Sequence, residues 1–131
     1  MINLHVIKIK IYYEDTDAGG VVYHANYLKY LERARTEFLN NLGINIAEYH
    51  RKGILFVVSH IDISYKRPAS LGDVIDVYSE IYELRGASMT IKNTIKKSEH
   101  LLCEALVNIA CVNSQLKPMR LPKELIEAIK K

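Results

Sequence analysis

No apolar run in this sequence approaches the roughly 20 residues that a membrane-crossing helix needs. The opening stretch, Met1 to Lys8, alternates apolar with polar residues. It lacks the basic start, continuous apolar segment and small-residue cleavage site of a secretory leader, so a cytoplasmic location is expected. Cysteine is scarce, with only Cys103 and Cys111. Eight residues apart in a strand-like segment, they would face the same side about 26 Å apart, beyond disulfide reach. Neither Cys-x-x-Cys nor His-Glu-x-x-His spacing occurs, so no zinc site, redox pair or cofactor is expected. Charge of one sign is also missing. Eighteen Lys and Arg face 15 Asp and Glu, for a net charge of +3. The basic residues are scattered apart from the pairs Lys66-Arg67, Lys96-Lys97 and Lys130-Lys131. That is not the dense stripe of a nucleic-acid binder, although it suits a phosphate-bearing substrate.

What is present is an ordinary globular composition, 49% hydrophobic and 25% charged over 131 residues. No linker, repeat or low-complexity stretch interrupts it, so residues 1–131 read as one domain. A first strand is predicted from Leu4 to Tyr13, with His5, Ile7, Ile9 and Ile11 on one face. The polar loop Glu14-Asp15-Thr16-Asp17-Ala18-Gly19-Gly20 follows, its glycines permitting a tight path. Tyr27, Leu28, Leu31, Ala34, Phe38, Leu39 and Leu42 then recur every three or four residues. This is the apolar face of a helix from about Ala25 to Leu42, stopped by Gly43. A second helical piece spans roughly Ile46 to Lys52 and is closed by Gly53. The period then changes to two. Strands are expected over Ile54 to Lys66, Val74 to Leu84, Ser88 to Lys97 and Leu101 to Asn113. Their turns, Arg85-Gly86-Ala87 and Ser98-Glu99-His100, are short enough for hairpins. Pro122 opens a closing helix with Leu125, Ile126 and Ile129 inward. One long helix and an antiparallel sheet make an α+β architecture. Its exposed sheet edges call for covering, most simply by a second copy.

The candidate chemistry lies between the first strand and the main helix, where Glu14, Asp15 and Asp17 cluster. Asp and Gly also favour plain polar turns. A hard cation on Asp15 and Asp17 would need further oxygen ligands, which the spacing does not supply. A third reading uses the helix start, whose free N–H groups point back at the loop. A carboxylate can attack a carbonyl carbon or activate water while those N–H groups stabilise the oxyanion. Aspartate ordinarily ionises near pH 4. A thioester, with its good thiolate leaving group, suits such a pair.

The run Tyr12-Tyr13-Glu14-Asp15-Thr16-Asp17-Ala18-Gly19-Gly20-Val21-Val22-Tyr23-His24-Ala25-Asn26-Tyr27, continuing through Tyr30-Leu31-Glu32-Arg33-Ala34-Arg35-Thr36-Glu37, resembles the signature of the 4-hydroxybenzoyl-CoA thioesterase family. It is most similar to the branch associated with the bacterial Tol–Pal envelope system. The resemblance implies a hotdog fold, a curved antiparallel five-stranded sheet wrapped around one long central helix. It also implies acyl-CoA thioesterase activity, homodimers or homotetramers, and active sites at the subunit interface. The family's catalytic aspartate falls on Asp17, as nucleophile or general base, accompanied by Tyr13 and His24. The His24 backbone N–H would polarise the thioester carbonyl.

Each position also has an ordinary reading. His24 can be a polar residue at a helix start, Tyr13 the half-exposed end of a strand, and Asn26 a brace for the loop. Asn26, Arg85 and Ser88 are the candidate substrate-binding residues, the last two flanking a turn where a basic group could anchor coenzyme A phosphates. Lys66-Arg67 is a further basic pair at a strand end. Two other functions stay open at this point. The acyl group could ride on an acyl carrier protein, or the chain could be a non-catalytic acyl-binding or scaffold subunit of the envelope system.

Overall fold

The computed structural model describes residues 4–130. Five strands, β1 (His5–Lys10), β2 (Leu55–Tyr65), β3 (Val74–Leu84), β4 (Ser88–Lys97) and β5 (His100–Val112), form one antiparallel sheet in the order β1-β3-β4-β5-β2. Three helices, α1 (Asn26–Asn41), α2 (Ile46–Arg51) and α3 (Lys123–Lys130), complete the fold. Strands alternate side chains between faces. Ile75 and Val77 of β3, Ile91 and Ile95 of β4, and Val107 and Ile109 of β5 therefore share one inner face, all fully buried. Helix α1 lays Tyr27, Tyr30, Leu31, Ala34, Phe38 and Leu39 on that face. The sheet wraps the helix as the resemblance implied.

Local chemistry sets the helix ends. Gly43 adopts φ +86, Gly43 N–H donates to Asn40 O at 3.0 Å, and Ile44 N–H donates to Leu39 O at 2.8 Å. These two bonds are the Schellman pair that satisfies the last carbonyls of a helix, and they need a left-handed residue between them. Helix α2 ends the same way, with Gly53 at φ +81 and Ile54 N–H bonded to Tyr49 O. Its start is capped by Asn45, whose side chain accepts from Glu48 N–H at 3.0 Å.

One polar pair interrupts the inner face. Ser79 of β3 and Asn93 of β4 stand directly opposite one another, and both are buried. Asn93 Nδ2 donates to Ser79 Oγ at 2.8 Å and to Tyr78 O at 3.1 Å.

The structure departs from the sequence reading at three places. β1 ends at Lys10 rather than Tyr13. Ile11 still trades bonds with Asp73 and Gly72, but Tyr12 N–H is captured by the Asp15 carboxylate at 2.8 Å. A single 3-10 turn, Tyr13–Asp15, then begins. In α1, Leu28 faces outward, while Tyr30 is almost wholly buried. Between β4 and β5 only Ser98 and Glu99 turn, Ser98 taking φ +54, and His100 already pairs with Lys97. β1 and β2 are the sheet edges, each paired on one side only among the described residues. No described helix is long and apolar enough to cross a membrane.

Candidate active site

The loop after β1 folds into a small hairpin. Thr16 bridges Val22, Asp17 N–H donates to Val21 O at 2.9 Å, and Gly20 N–H donates to Asp17 O at 3.1 Å. Gly20 takes φ +80 at the tip, a conformation that favours glycine. The hairpin is pinned to the β2–β3 connection by Val22 N–H to Ala69 O at 2.8 Å and Leu71 N–H to Gly20 O at 3.0 Å. It is folded back onto α1 through the Asp15 carbonyl. That oxygen accepts from Tyr23 N–H at 3.1 Å and from Asn26 Nδ2 at 2.8 Å. The Asn26 amide thus braces the loop, the structural task its position allowed.

The two neighbouring aspartates do different work. Asp15 is half-buried and its carboxylate closes the 3-10 turn. Asp17 is exposed, and one oxygen accepts from Gly19 N–H at 2.8 Å. Its other oxygen has no partner among the described residues. A Cβ on Gly19 would lie 3.3 Å from Asp17 Oδ1, so the absent side chain leaves that carboxylate its room.

Helix α1 starts without a side-chain cap and without an acidic residue in its first turn. Asn26, Tyr27 and Leu28 N–H groups reach back to Tyr23, His24 and Ala25 carbonyls. The N–H groups of His24 and Ala25 find no acceptor among the described residues, and both residues are exposed. Uncapped N–H groups of this kind carry the positive end of the helix dipole. The site's other edge is a cleft of about 220 Å³ lined by Val22, His24, Tyr27, Tyr65, Lys66 and Arg67, among others. Burial pushes the Tyr27 and Tyr65 hydroxyls above the ordinary tyrosine range. A larger groove of about 760 Å³ runs between β1 and α1, lined by Lys8, Glu14, Arg33 and other mixed charges. It contains neither Asp17 nor the helix start.

Asp17, Tyr13 and His24 therefore lie on one exposed stretch, with no hydrogen bond or ring contact joining their side chains. Tyr13 sits in the 3-10 turn, 79% exposed. The His24 ring lies tilted against Tyr23, centroids 4.6 Å apart, and meets Tyr65 edge-on at 6.3 Å. Arg85 and Ser88 are elsewhere. They form the β3–β4 hairpin, ten residues along β3 from the Val74 end that borders the loop, or roughly 33 Å at strand rise. Arg85 Nε donates to Ser88 Oγ at 2.8 Å, a second nitrogen to Thr90 Oγ1 at 2.8 Å, and the third pairs with Glu83 at 2.7 Å. Sequence reasoning missed Tyr65, whose hydroxyl donates to His24 O at 3.1 Å. Its only sequence signal was an aromatic closing a period-two strand just before Lys66-Arg67-Pro68. The described residues contain no cluster of three His, Cys, Asp or Glu able to hold a metal ion.

Residues 12–129 match the model of the thioesterase-like superfamily. The chain belongs to that superfamily. It is 40% identical over 124 residues to the acyl-CoA thioester hydrolase YbgC of Escherichia coli O6:H1, covering 93% of this chain and 92% of the relative. It is likewise 40% identical over 119 residues to the acyl-CoA thioesterase YbgC of Haemophilus influenzae, covering 89% and 88%. Among solved structures, a probable thioesterase from Bartonella henselae superposes with a TM-score of 0.85 at 38% identity, covering 91% of this chain and 99% of that one. The fold of this thioesterase-like chain is the hotdog fold.

Proposed function

We propose that this chain, a thioester hydrolase, cleaves acyl-CoA to a free carboxylic acid and coenzyme A, with Asp17 as its catalytic carboxylate. One observation carries the reading. An exposed carboxylate with an unbonded oxygen sits on a loop folded against an uncapped helix start, where two N–H groups lack acceptors. The thioester oxygen would accept from the His24 or Ala25 N–H, which draws charge from the carbonyl carbon. Asp17 attacks that carbon, or removes a proton from the water that attacks it. By either route the carbon–sulfur bond breaks, its electron pair leaves with sulfur, and one water supplies the oxygen of the acid and the proton of the thiol. The His24 ring and the Tyr13 hydroxyl would orient the acyl group or pass that proton.

Arg85 and Ser88 serve this reaction only with a second copy. Two-fold antiparallel pairing across the free β2 edge would set the start of one β2 beside the end of the other. The partner's hairpin end would then lie beside this chain's loop, where a guanidinium can hold coenzyme A phosphate. Asn26 stays a brace whose carbonyl oxygen is free for substrate.

The test is a panel of short, medium and aromatic acyl-CoAs followed with a thiol-trapping reagent. Cys103 and Cys111 add no background, because both are buried and burial pushes the Cys103 thiol up to about 12. Wild type turns over, and Asp17→Asn loses about 10²–10⁴ in kcat with an unchanged circular dichroism spectrum. Wild-type rates in Asp17→Asn would sink the assignment. The same acyl group offered on an acyl carrier protein tests the carrier, with coenzyme A expected to be the better substrate.

A further inference from the structure

The His24–Ala25 peptide unit faces two ways. A peptide is planar, with its C=O and N–H pointing in opposite directions. The oxygen of this unit accepts from the Tyr65 hydroxyl at 3.1 Å and from Tyr27 N–H at 3.3 Å. The hydrogen on its other side, Ala25 N–H, is one of the two without an acceptor. Whatever fixes the oxygen therefore aims the hydrogen. A bond to the carbonyl also polarises the peptide and strengthens its N–H as a donor.

Tyr65 reaches this oxygen from the last position of β2, where it pairs with Cys103. Its ring is held edge-on by His24 at 6.3 Å and by Tyr27 at 5.4 Å. The loop does not need the hydroxyl to keep its shape. The Thr16–Val22 bridge, the Val22–Ala69 bond and the Asn26–Asp15 brace already hold it. Tyr65 is 46% exposed on the wall of the cleft beside His24.

We propose that Tyr65 is a positioning residue for thioester hydrolysis: through the His24 carbonyl it orients and strengthens the Ala25 N–H, one of the two donors open to the thioester oxygen. This rests on the reading that Asp17 and the start of α1 form the active site. A tyrosine hydroxyl ordinarily ionises near pH 10 and burial raises this one, so the donor persists through the neutral range.

The variant is Tyr65→Phe, which keeps the ring contacts and deletes only the hydroxyl. Steady-state kinetics on the fastest acyl-CoA of the panel should give kcat lower by about tenfold, less than the loss of a whole oxyanion donor. KM and Tm should stay near wild type. A second readout does not depend on Asp17. The non-hydrolysable ketone analogue of that acyl-CoA, with CH₂ in place of sulfur and a ¹³C carbonyl, is bound to wild type and variant. Isotope-edited infrared spectra then report carbonyl polarisation. The red shift on binding should shrink in Tyr65→Phe. An unchanged kcat, a rise in KM alone, or a loss of kcat with an unchanged carbonyl frequency would each overturn the proposal. Asp17→Asn run in parallel separates the two claims. If it keeps wild-type rates while the ketone shift still shrinks in Tyr65→Phe, the Asp17 assignment falls and the role of Tyr65 stands.

Discussion

Asp15 and Asp17 are the same residue type two positions apart, and their surroundings give them different tasks. The first is spent closing a turn; the second keeps an oxygen free. The sequence marked the pair through its acids and glycines, and the family signature singled out the second. What separates them physically is the Tyr12 N–H, a backbone donor that no side-chain pattern advertises. Tyr65 and His24 were less legible still, since 41 residues separate them and only the folded sheet brings them together. Close by, Asp73 supports the segment that pins the loop. Burial pushes its carboxyl up, but the Lys97 ammonium and the Ser70 N–H, each at 2.8 Å, outweigh that and hold it below the usual carboxylate value. A carboxyl lowered in the folded state adds stability above its unfolded pKa, and that stability is lost as pH falls through the lower folded value. Asp73→Asn should therefore melt about 2–5 °C below wild type at neutral pH. The gap should narrow below about pH 4 as the wild-type carboxylate protonates. Thermal melts of both proteins across pH 2–7 measure it.

Helix α1 and strands β3 and β4 were the most readable elements, because a three-to-four or two-residue period bounded by Gly43 or by the Arg85-Gly86-Ala87 turn leaves few alternatives. The errors fell at element margins and in the exact facing of α1. β1 was read too long, since Ile11, Tyr12 and Tyr13 all favour strands and only a side-chain capture ends it. Tyr30 is not among the residues that the three-to-four spacing assigns to the inner face, yet its ring is almost wholly buried. Phe38 sits in the middle of that face, 1% exposed, and the sheet cannot collapse far onto a vacancy there. Phe38→Ala should cost about 3–5 kcal/mol. Urea titration followed by circular dichroism checks this, with the midpoint falling and the slope unchanged.

At the scale of the molecule, one chain holds the Asp17 loop at one end of the sheet and the Arg85–Ser88 hairpin at the other. Antiparallel pairing across β2 is the arrangement that would unite them; the sequence reading called for a second copy on an exposed sheet edge, and the resemblance added active sites at the subunit interface, but neither named the strand. It makes a sharp expectation. Asp17→Asn and Arg85→Ala should each be depressed alone. Mixed after mild unfolding and refolding together, they should regain part of wild-type activity, because a hybrid pair contains one intact site. Sedimentation should report at least a dimer, and mixtures that stay as inactive as their parents would rule the arrangement out.

The buried Ser79–Asn93 pair has a consequence for how the hairpin is assembled. A slip of two residues between β3 and β4 keeps every side chain on its proper face, so hydrophobic burial alone would hardly notice it. It would, however, set the Asn93 amide against Val77 or Ile81 instead of Ser79, stranding a polar group in oil at about 1–3 kcal/mol. Two modest side chains thus proofread strand alignment. Through it they fix where the Arg85 turn falls at the far end of the sheet.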